Sequence, residues 1–390
     1  MSKPICLHNG TLLTGFSKME NCCVLIENGM IEDVFSERRF KTKRFNSDVR
    51  IIDVEGACIA PGLIDTHIHG FRGHGTDNLT EEALLDMSWD LAQYGVTAFN
   101  PTMYPSSEEE MISNIRTIVG TMGKENGARI MGIHLEGPFI SSEKLGVQRP
   151  ETVKEPDLEL MDRLWEASCG HIVNMTVAPE LKGMRYLALY CLKKEIVLQA
   201  GHTNAEYSHM VEGMQAGILH STHLFNAMSQ MHHRNPGAVG AVLIHPEMSC
   251  EIIADGIHVH PDLIKLLARD KPLDKIVLVT DALTPTEQDG DELYANGEEV
   301  VFKDGCFHRV EDDVIAGSAL TMIRGVRNLV EYGFQPADAV KCATTNPAQI
   351  MHFAHQGSII PGYKADLCVF DKQYNILISI VDGDIKKNIL

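Results

Sequence analysis

The 390-residue sequence lacks the features that mark several large classes of protein. Its ten cysteines are scattered and form no CxxC pair, and no apolar run is long enough to cross a membrane. We therefore expect reduced thiols in a cytoplasmic protein rather than a disulfide framework or a cysteine metal site. Residues 1–10 contain no apolar stretch, so we expect no signal peptide.

Positive charge is also scarce, because 34 lysines and arginines face 53 aspartates and glutamates, for a net charge of −19. This balance argues against nucleic acid or an anionic membrane as a partner. A small anion remains a possible ligand, since a local cluster of cations outweighs distant charges over about 10 Å. Repeats and low-complexity segments are absent, and a composition with 44% hydrophobic and 22% charged residues is typical of a globular protein.

Both ends of the chain have the pattern of short β-strands. The apolar runs 24–27 and 30–35 flank Asn28-Gly29, the strongest short signal for a hairpin. Further strands are predicted at 51–54 and 58–60, and the basic segment 38–50 is predicted as a loop or strand rim. Turn glycines surround short β runs again at 357–371. We therefore predict one small β domain assembled from residues 1–60 and 355–390.

Between these ends, short apolar runs alternate with amphipathic helical segments, which predicts parallel strands with crossover helices. The eight runs are 63–67, 96–100, 130–135, 172–178, 196–200, 219–223, 251–255 and 276–280, and the helical segments include 80–93, 107–122, 157–167, 205–216 and 261–267. Runs of this kind suit strands buried on both faces. The sequence predicts an α/β fold with a (β/α)₈ TIM barrel over residues 61–354. A doubly wound open sheet is the alternative.

Metal-ligating residue types occur where five of these runs end. They are His67 with His69, then Glu136, His202, His223 and Asp281. Barrel enzymes build their active sites at the carboxyl ends of the strands, so these side chains should converge. A single histidine in an apolar strand is usually a packed core residue. It is the combination at one end of five strands that predicts a metal site.

The spacing suggests how the ligands would be shared. His67 and His69 are two residues apart and point to the same side of a strand, so they can bind one ion together. Glu136 can bridge two ions, and His202 and His223 would hold the second. Asp281 is expected to bind metal and to accept a proton as the catalytic base. Imidazole and carboxylate ligands favour one or two divalent ions, zinc or iron, per subunit.

Several segments resemble a known family. PGLIDTHIHG at 61–70 is similar to the opening signature of the amidohydrolase superfamily. HLEGPF at 134–139, AGHT at 200–203, THLFNAM at 222–228, ADGIHV at 254–259, TDA at 280–282 and IAGS at 315–318 resemble the N-acetylglucosamine-6-phosphate deacetylases. The resemblance covers nearly the whole chain. It implies metal-dependent hydrolysis of the acetamide of N-acetylglucosamine 6-phosphate to glucosamine 6-phosphate and acetate, in amino-sugar catabolism.

The resemblance also implies substrate-binding residues. Arg234 and His258 would bind the phosphate, with Arg234 supplied by a neighbouring subunit of a homodimer. Asn226 and Ala227 would make polar contacts with the substrate. The remaining positions are Ile315, Ala316 and Gly317, which would line the sugar pocket, and the loop residues Val147 and Gln148. Some relatives have histidine where this chain has Gln148, whose amide would then polarise the substrate carbonyl.

Two departures from the wider superfamily narrow the prediction. No lysine takes the place of a carboxylated bridging lysine, which disfavours the cyclic-amide branch. His67 and His69 are both present, so the chain resembles two-metal members rather than one-metal members. The alternatives are a deacetylase of N-acetylgalactosamine 6-phosphate, a deaminase or cyclic amidase, and a non-catalytic barrel relative. The last of these is disfavoured because all six candidate ligands are present.

Overall fold

The structure is a computed structural model that describes residues 3–77, 79–288, 290 and 293–390. Its strands are β1 (Ile5–Leu13), β2 (Lys18–Glu27), β3 (Met30–Ser36), β4 (Arg50–Asp53), β5 (Cys58–Pro61), β6 (Leu63–Ile68), β7 (Gly70–Phe71), β8 (His74–Gly75), β9 (Val96–Met103), β10 (Arg129–Ile130), β11 (Ile133–Glu136), β12 (Ile172–Val177), β13 (Val197–Ala200), β14 (His220–Ser221), β15 (Cys250–Ile253), β16 (Ile276–Val279), β17 (Leu293–Ala295), β18 (Glu298–Lys303), β19 (Cys306–Arg309), β20 (Ile315–Ser318), β21 (Leu367–Phe370), β22 (Ile376–Val381) and β23 (Asp384–Asn388).

The α-helices are α1 (Glu37–Phe40), α2 (Glu81–Gln93), α3 (Glu108–Thr121), α4 (Leu158–Ala167), α5 (Met184–Lys193), α6 (Tyr207–Gln215), α7 (Gly237–Ile244), α8 (Pro261–Asp270), α9 (Met322–Glu331), α10 (Pro336–Cys342) and α11 (Thr345–Ile350). The side chains of Thr80, Ser107 and Asp157 accept hydrogen bonds from the first turns of α2, α3 and α4. These caps fix the starts of three helices that the sequence predicts. Among the described residues, no helix is long and apolar enough to cross a membrane.

Strands from both ends of the chain form one sheet, as predicted. Its order is β23-β22-β21-β5-β1-β2-β3, with β4 also paired to β1. The predicted hairpin between β2 and β3 is confirmed, since Glu27 pairs with Met30 across Asn28 and Gly29. Both turn residues have positive φ, 52° and 76°, as a two-residue hairpin loop requires. The prediction of a loop or strand rim at 38–50 is only partly confirmed, because the segment begins within the short helix α1.

The parallel strands form a curled sheet with the order β10-β9-β11-β12-β13-β14, in which β6 pairs with β9, and a separate parallel pair, β15 and β16. The α/β class with parallel strands and crossover helices is confirmed. The run 130–135 is not one strand as predicted. Arg129 pairs with Ala98, whereas His134 pairs with Thr102, so the register slips by one residue and divides the run into β10 and β11.

An antiparallel sheet, β17-β18-β19-β20, was not predicted. Its strands are short and several of their apolar side chains are exposed, including Tyr294, Val301 and Phe302, so the usual alternation of buried and exposed residues is weak. Ala282, just after β16, forms a parallel β-bridge with Ser318 at the end of β20. This pairing places the sheet beside the carboxyl ends of the parallel strands.

Candidate active site

Six titratable side chains converge at the carboxyl ends of the parallel strands. They form two groups whose ligand atoms lie within 4.8 Å of one another: His67 with His69 and Asp281, and Glu136 with His202 and His223. None is more than 9% exposed. Each lies within two residues of the carboxyl end of a strand of the curled sheet or of the β15–β16 pair, which is the local reason that they meet.

Three of these residues lie just beyond their strands with a left-handed backbone. His202, His223 and Asp281 have φ values of 45°, 20° and 50°. Residues other than glycine seldom adopt this region, and such conformations concentrate at functional sites, where the surrounding structure holds them. The bend at the end of each strand aims the side chain at the common centre.

The group formed by Glu136, His202 and His223 has the dimensions of a metal site. Glu136 Oε1 lies 3.1 Å from the Nε2 atoms of both histidines, and those two Nε2 atoms are 3.2 Å apart. Ligand atoms around a tetrahedral ion at about 2.0–2.1 Å are about 3.3 Å apart, which is close to these values. The His202 ring is oriented by the main-chain oxygen of Lys144, 2.9 Å from Nδ1.

The second group has a similar geometry and shares Glu136. Asp281 Oδ1 lies 3.4 Å from the Nε2 atoms of His67 and His69. Glu136 Oε1 is 3.4 Å from His67 Nε2, and its Oε2 is 3.3 Å from His69 Nε2. A carboxylate in contact with both groups is placed to bridge two ions.

The donor set fits divalent cations. His67 Nε2 is buried without a hydrogen-bond partner. His67 Nε2 instead faces two carboxylates at 3.4 Å. A nitrogen lone pair pointed at anionic oxygens is repelled by them unless a cation lies between, and imidazole with carboxylate is a ligand set for zinc or iron.

The carboxylates of the site are held ionised by the histidines. Burial alone would raise the pKa of Glu136, but His202, His223 and His67 lower it well below its usual value. The pKa of Asp281 is lowered in the same way, with burial opposed by His67 and His69. Both groups are therefore anionic at neutral pH, the state in which a carboxylate binds metal or accepts a proton.

A cavity of about 300 Å³ opens onto the cluster. Its lining includes eight of the nine residues predicted to bind substrate: Val147, Gln148, Asn226, Ala227, His258, Ile315, Ala316 and Gly317. Arg234 is not part of the lining. It is exposed on the loop before α7, where its guanidinium donates to His233 Nε2 at 3.0 Å.

Gln148 and His258 are polar residues of the cavity lining that are hydrogen-bonded to carboxylates. Gln148 Nε2 donates to Glu136 Oε2 at 2.6 Å, while its Oε1 is buried without a partner. His258 Nδ1 lies 2.6 Å from Asp255 Oδ2. Burial would lower the pKa of His258, but the hydrogen bond and charge of Asp255 raise it, which favours an imidazolium facing the cavity.

Sequence reasoning missed Tyr104 and Glu251, which touch the cluster, and Gln199, which contacts Glu251. Tyr104 stacks on His69 with ring centroids 3.8 Å apart and also lines the cavity. Glu251, within β15, lies 2.9 Å from His67 Nδ1. Gln199, within β13, donates to Glu251 at 3.0 Å. The feature of the sequence that could have identified them is a polar side chain inside, or just after, a run that was expected to be wholly apolar.

Comparison with known proteins agrees with this site. The amidohydrolase family model matches residues 58–389. The chain is 31% identical to N-acetylglucosamine-6-phosphate deacetylase of Bacillus subtilis over 99% of this chain and 98% of the relative. It is 29% identical to N-acetylgalactosamine-6-phosphate deacetylase of Escherichia coli O157:H7 over 84% of this chain and 87% of the relative.

Among solved structures, the N-acetylglucosamine-6-phosphate deacetylase of Pasteurella multocida superimposes with a TM-score of 0.92 and 28% identity, covering 99% of this chain and 100% of that one. The family match spans the curled parallel sheet and every candidate ligand. The chain therefore belongs to the amidohydrolase family.

Proposed function

We propose that the protein hydrolyses the acetamide of N-acetylglucosamine 6-phosphate to glucosamine 6-phosphate and acetate. The observation that carries the proposal is a pair of buried ligand groups that share Glu136 and open onto a cavity. The same cavity is lined by His258, which is hydrogen-bonded to Asp255. The first feature suits hydrolysis of an amide, and the second suits an anionic substrate. The relatives that act on amino-sugar phosphates support the same assignment.

We also infer that residues 61–354 form a closed (β/α)₈ barrel, and that residues 1–60 with 355–390 form the small β domain. Eight strand runs, the curled sheet and the pairing of both chain ends support this division. The ligands would hold one or two divalent ions, zinc or iron. His67, His69 and Asp281 would hold one ion, and His202 and His223 the other, with Glu136 shared.

The proposed chemistry assigns a proton to each step. Bound divalent ions lower the pKa of water to about 7 and polarise a carbonyl group. Asp281 accepts a proton from the attacking water as the oxygen–carbon bond forms, and the carbon–nitrogen bond then breaks. Asp281 passes that proton to the departing nitrogen, so the amine leaves neutral and acetic acid remains, which releases the second proton of the water to solvent and becomes acetate. The Gln148 amide would donate to the carbonyl oxygen as negative charge develops.

The phosphate end of the substrate would be held by His258 and by Arg234 of a second copy in a homodimer. In the single chain Arg234 lies outside the cavity, on an exposed loop, and is therefore available to an adjoining subunit. Asn226 and Ala227 would make polar contacts with the substrate. The residues that would pack against the sugar are Val147, Ile315, Ala316 and Gly317. An arginine fork matches phosphate geometry.

The test is acetate release from N-acetylglucosamine 6-phosphate, its unphosphorylated form and its galacto epimer, with metal content measured on the same sample. We expect fast release from the gluco phosphate and loss of activity on chelation. Faster release from the galacto epimer would favour the second candidate function, which the similarity to the E. coli relative supports. A metal-loaded chain that releases acetate from none of the three would refute the proposal.

Arg234→Ala should raise KM for the phosphorylated sugar at least about tenfold while changing KM for the unphosphorylated sugar little. A charge-assisted bidentate contact of about 1.5–3 kcal/mol corresponds to that factor or more. Steady-state kinetics on both sugars measures the difference, and Arg185→Ala, another exposed arginine, is the control. Equal effects on the two sugars would rule out a phosphate contact.

Asp255→Asn should move the pH at which phosphate binding is lost. Asp255 raises the pKa of His258, so the imidazolium is present below that raised pKa and is lost as pH increases through it. Asparagine can still accept from Nδ1 but carries no charge, so KM should begin to rise at a lower pH than in the wild type. The pH profile of KM measures this, with Asp262→Asn on an exposed side chain as the control. An unchanged profile would exclude His258 as the titrating group.

A further inference from the structure

Glu251 is a fully buried carboxylate that touches both ligand groups without belonging to either. Its Oε2 accepts a hydrogen bond from the main-chain N–H of His223 at 3.2 Å and lies 2.9 Å from His67 Nδ1. Its Oε1 accepts from Gln199 Nε2 at 3.0 Å. One side chain therefore contacts a candidate ligand of each ion.

The contact with His67 fixes which ring nitrogen carries the proton. A carboxylate oxygen at Nδ1 requires a hydrogen there, so the neutral imidazole that binds a metal has its lone pair on Nε2. Nε2 is the atom that faces Glu136 and Asp281, at 3.4 Å from each, and it has no hydrogen-bond partner. Glu251 thus holds His67 in the tautomer and orientation that a metal ligand needs.

The hydrogen-bond partners around Glu251 fit a carboxylate and not an amide. The Nδ2 of Asn174 donates to the main-chain oxygen of Thr66 at 3.3 Å and to Gln199 Oε1 at 3.0 Å. Because a main-chain oxygen only accepts, Asn174 cannot be turned over, and Gln199 must therefore direct its NH₂ group at Glu251. Every hydrogen-bond partner of Glu251 is then a donor, whereas a glutamine would place its own NH₂ against one of them.

We infer that Glu251 is the positioning residue that prepares His67 for the second divalent ion and so determines whether the chain holds one ion or two. The inference rests on the proposed metal site but not on the substrate. Without Glu251, His67 is free to protonate Nε2 and turn away. The ion at Glu136, His202 and His223 keeps its three ligand side chains.

The test is metal binding by Glu251→Gln, measured by elemental analysis after dialysis and by titration of metal-free protein with Co²⁺. We expect one tightly bound ion and an affinity for the second ion lowered about 10–100-fold, the usual effect of removing an outer partner of a ligand. Thr176→Val is the matched control. It breaks buried side-chain hydrogen bonds with Thr222 and His134, neither of which is a candidate ligand, so it should bind two ions as the wild type does.

The opposite results overturn the inference. They are a Glu251→Gln chain that binds the second ion with wild-type affinity, or one that loses both ions equally. Glu251→Asp keeps an acceptor at a shorter reach and should recover part of the second-ion affinity, which a general loss of packing would not allow.

If the variants do not fold, ¹⁵N-histidine spectra of the wild type test whether Glu251 holds His67 in the proposed tautomer. The inference requires a slowly exchanging Nδ1 proton on His67, identified by its loss in His67→Asn, and its absence refutes the inference. A wild-type chain that hydrolyses the sugar phosphate but never takes up a second ion overturns this inference alone. A chain that holds two ions and hydrolyses none of the substrates overturns only the proposed function.

Discussion

Asp281→Asn is expected to lower kcat by at least about two orders of magnitude while the ion at Glu136, His202 and His223 is retained. Asparagine has the shape of aspartate, so it can keep the position beside His67 and His69 that Asp281 occupies. An amide does not accept a proton at neutral pH. The attacking water therefore loses its base and the departing nitrogen loses its acid.

Single-turnover and steady-state rates, with metal content measured on the same preparation, separate this effect from loss of metal. Asp86→Asn, an exposed side chain on α2, serves as the control and should leave both quantities unchanged. Turnover within about threefold of the wild type, in a variant that holds its metal, would remove Asp281 from the role of base. A variant that has lost all metal would instead show that Asp281 acts mainly as a ligand.

The convergence of the six candidate ligands follows from local information. Each lies at the end of an apolar run, and the parallel order of the runs brings those ends to one face. His67 and His69 needed only the two-residue period of a strand. The same reasoning gave the turn at Asn28-Gly29, because the preference for positive φ is a property of those two residues.

The remaining features depend on distances between segments far apart in the chain. Glu251 meets His67 across 184 residues of sequence, and only the tertiary arrangement, in which β16 contacts both β15 and β6, brings them together. The stacking of Tyr104 on His69 is of the same kind. The position of Arg234 outside the cavity also depends on the path of an irregular loop, whose length and composition do not specify a direction. The division of the run 130–135 arises from a register slip against β9.

Glu136→Gln should have the widest effect, because Glu136 is the candidate ligand that the two groups share. Its two oxygens face His202 and His223 on one side and His69 on the other. Glutamine keeps the volume but replaces one oxygen with an NH₂ group and removes the negative charge that offsets two cations. We expect the affinity for both ions to fall by more than about 100-fold, beyond the usual effect of an outer partner, and activity to fall with it.

Thermal unfolding provides a second readout of Glu136→Gln that does not use the substrate. An ion present at about 100 times its dissociation constant stabilises the folded state by about 2.7 kcal/mol, so chelation should lower the Tm of the wild type. The variant, which binds little metal, should show almost no change on chelation. Glu180→Gln is the matched control, since Glu180 bonds to Asn204 at 2.6 Å and contacts no candidate ligand side chain. If Glu136→Gln retains two ions and the same chelator-dependent fall in Tm, the ligands hold metal without the shared carboxylate, and the bridging role is refuted.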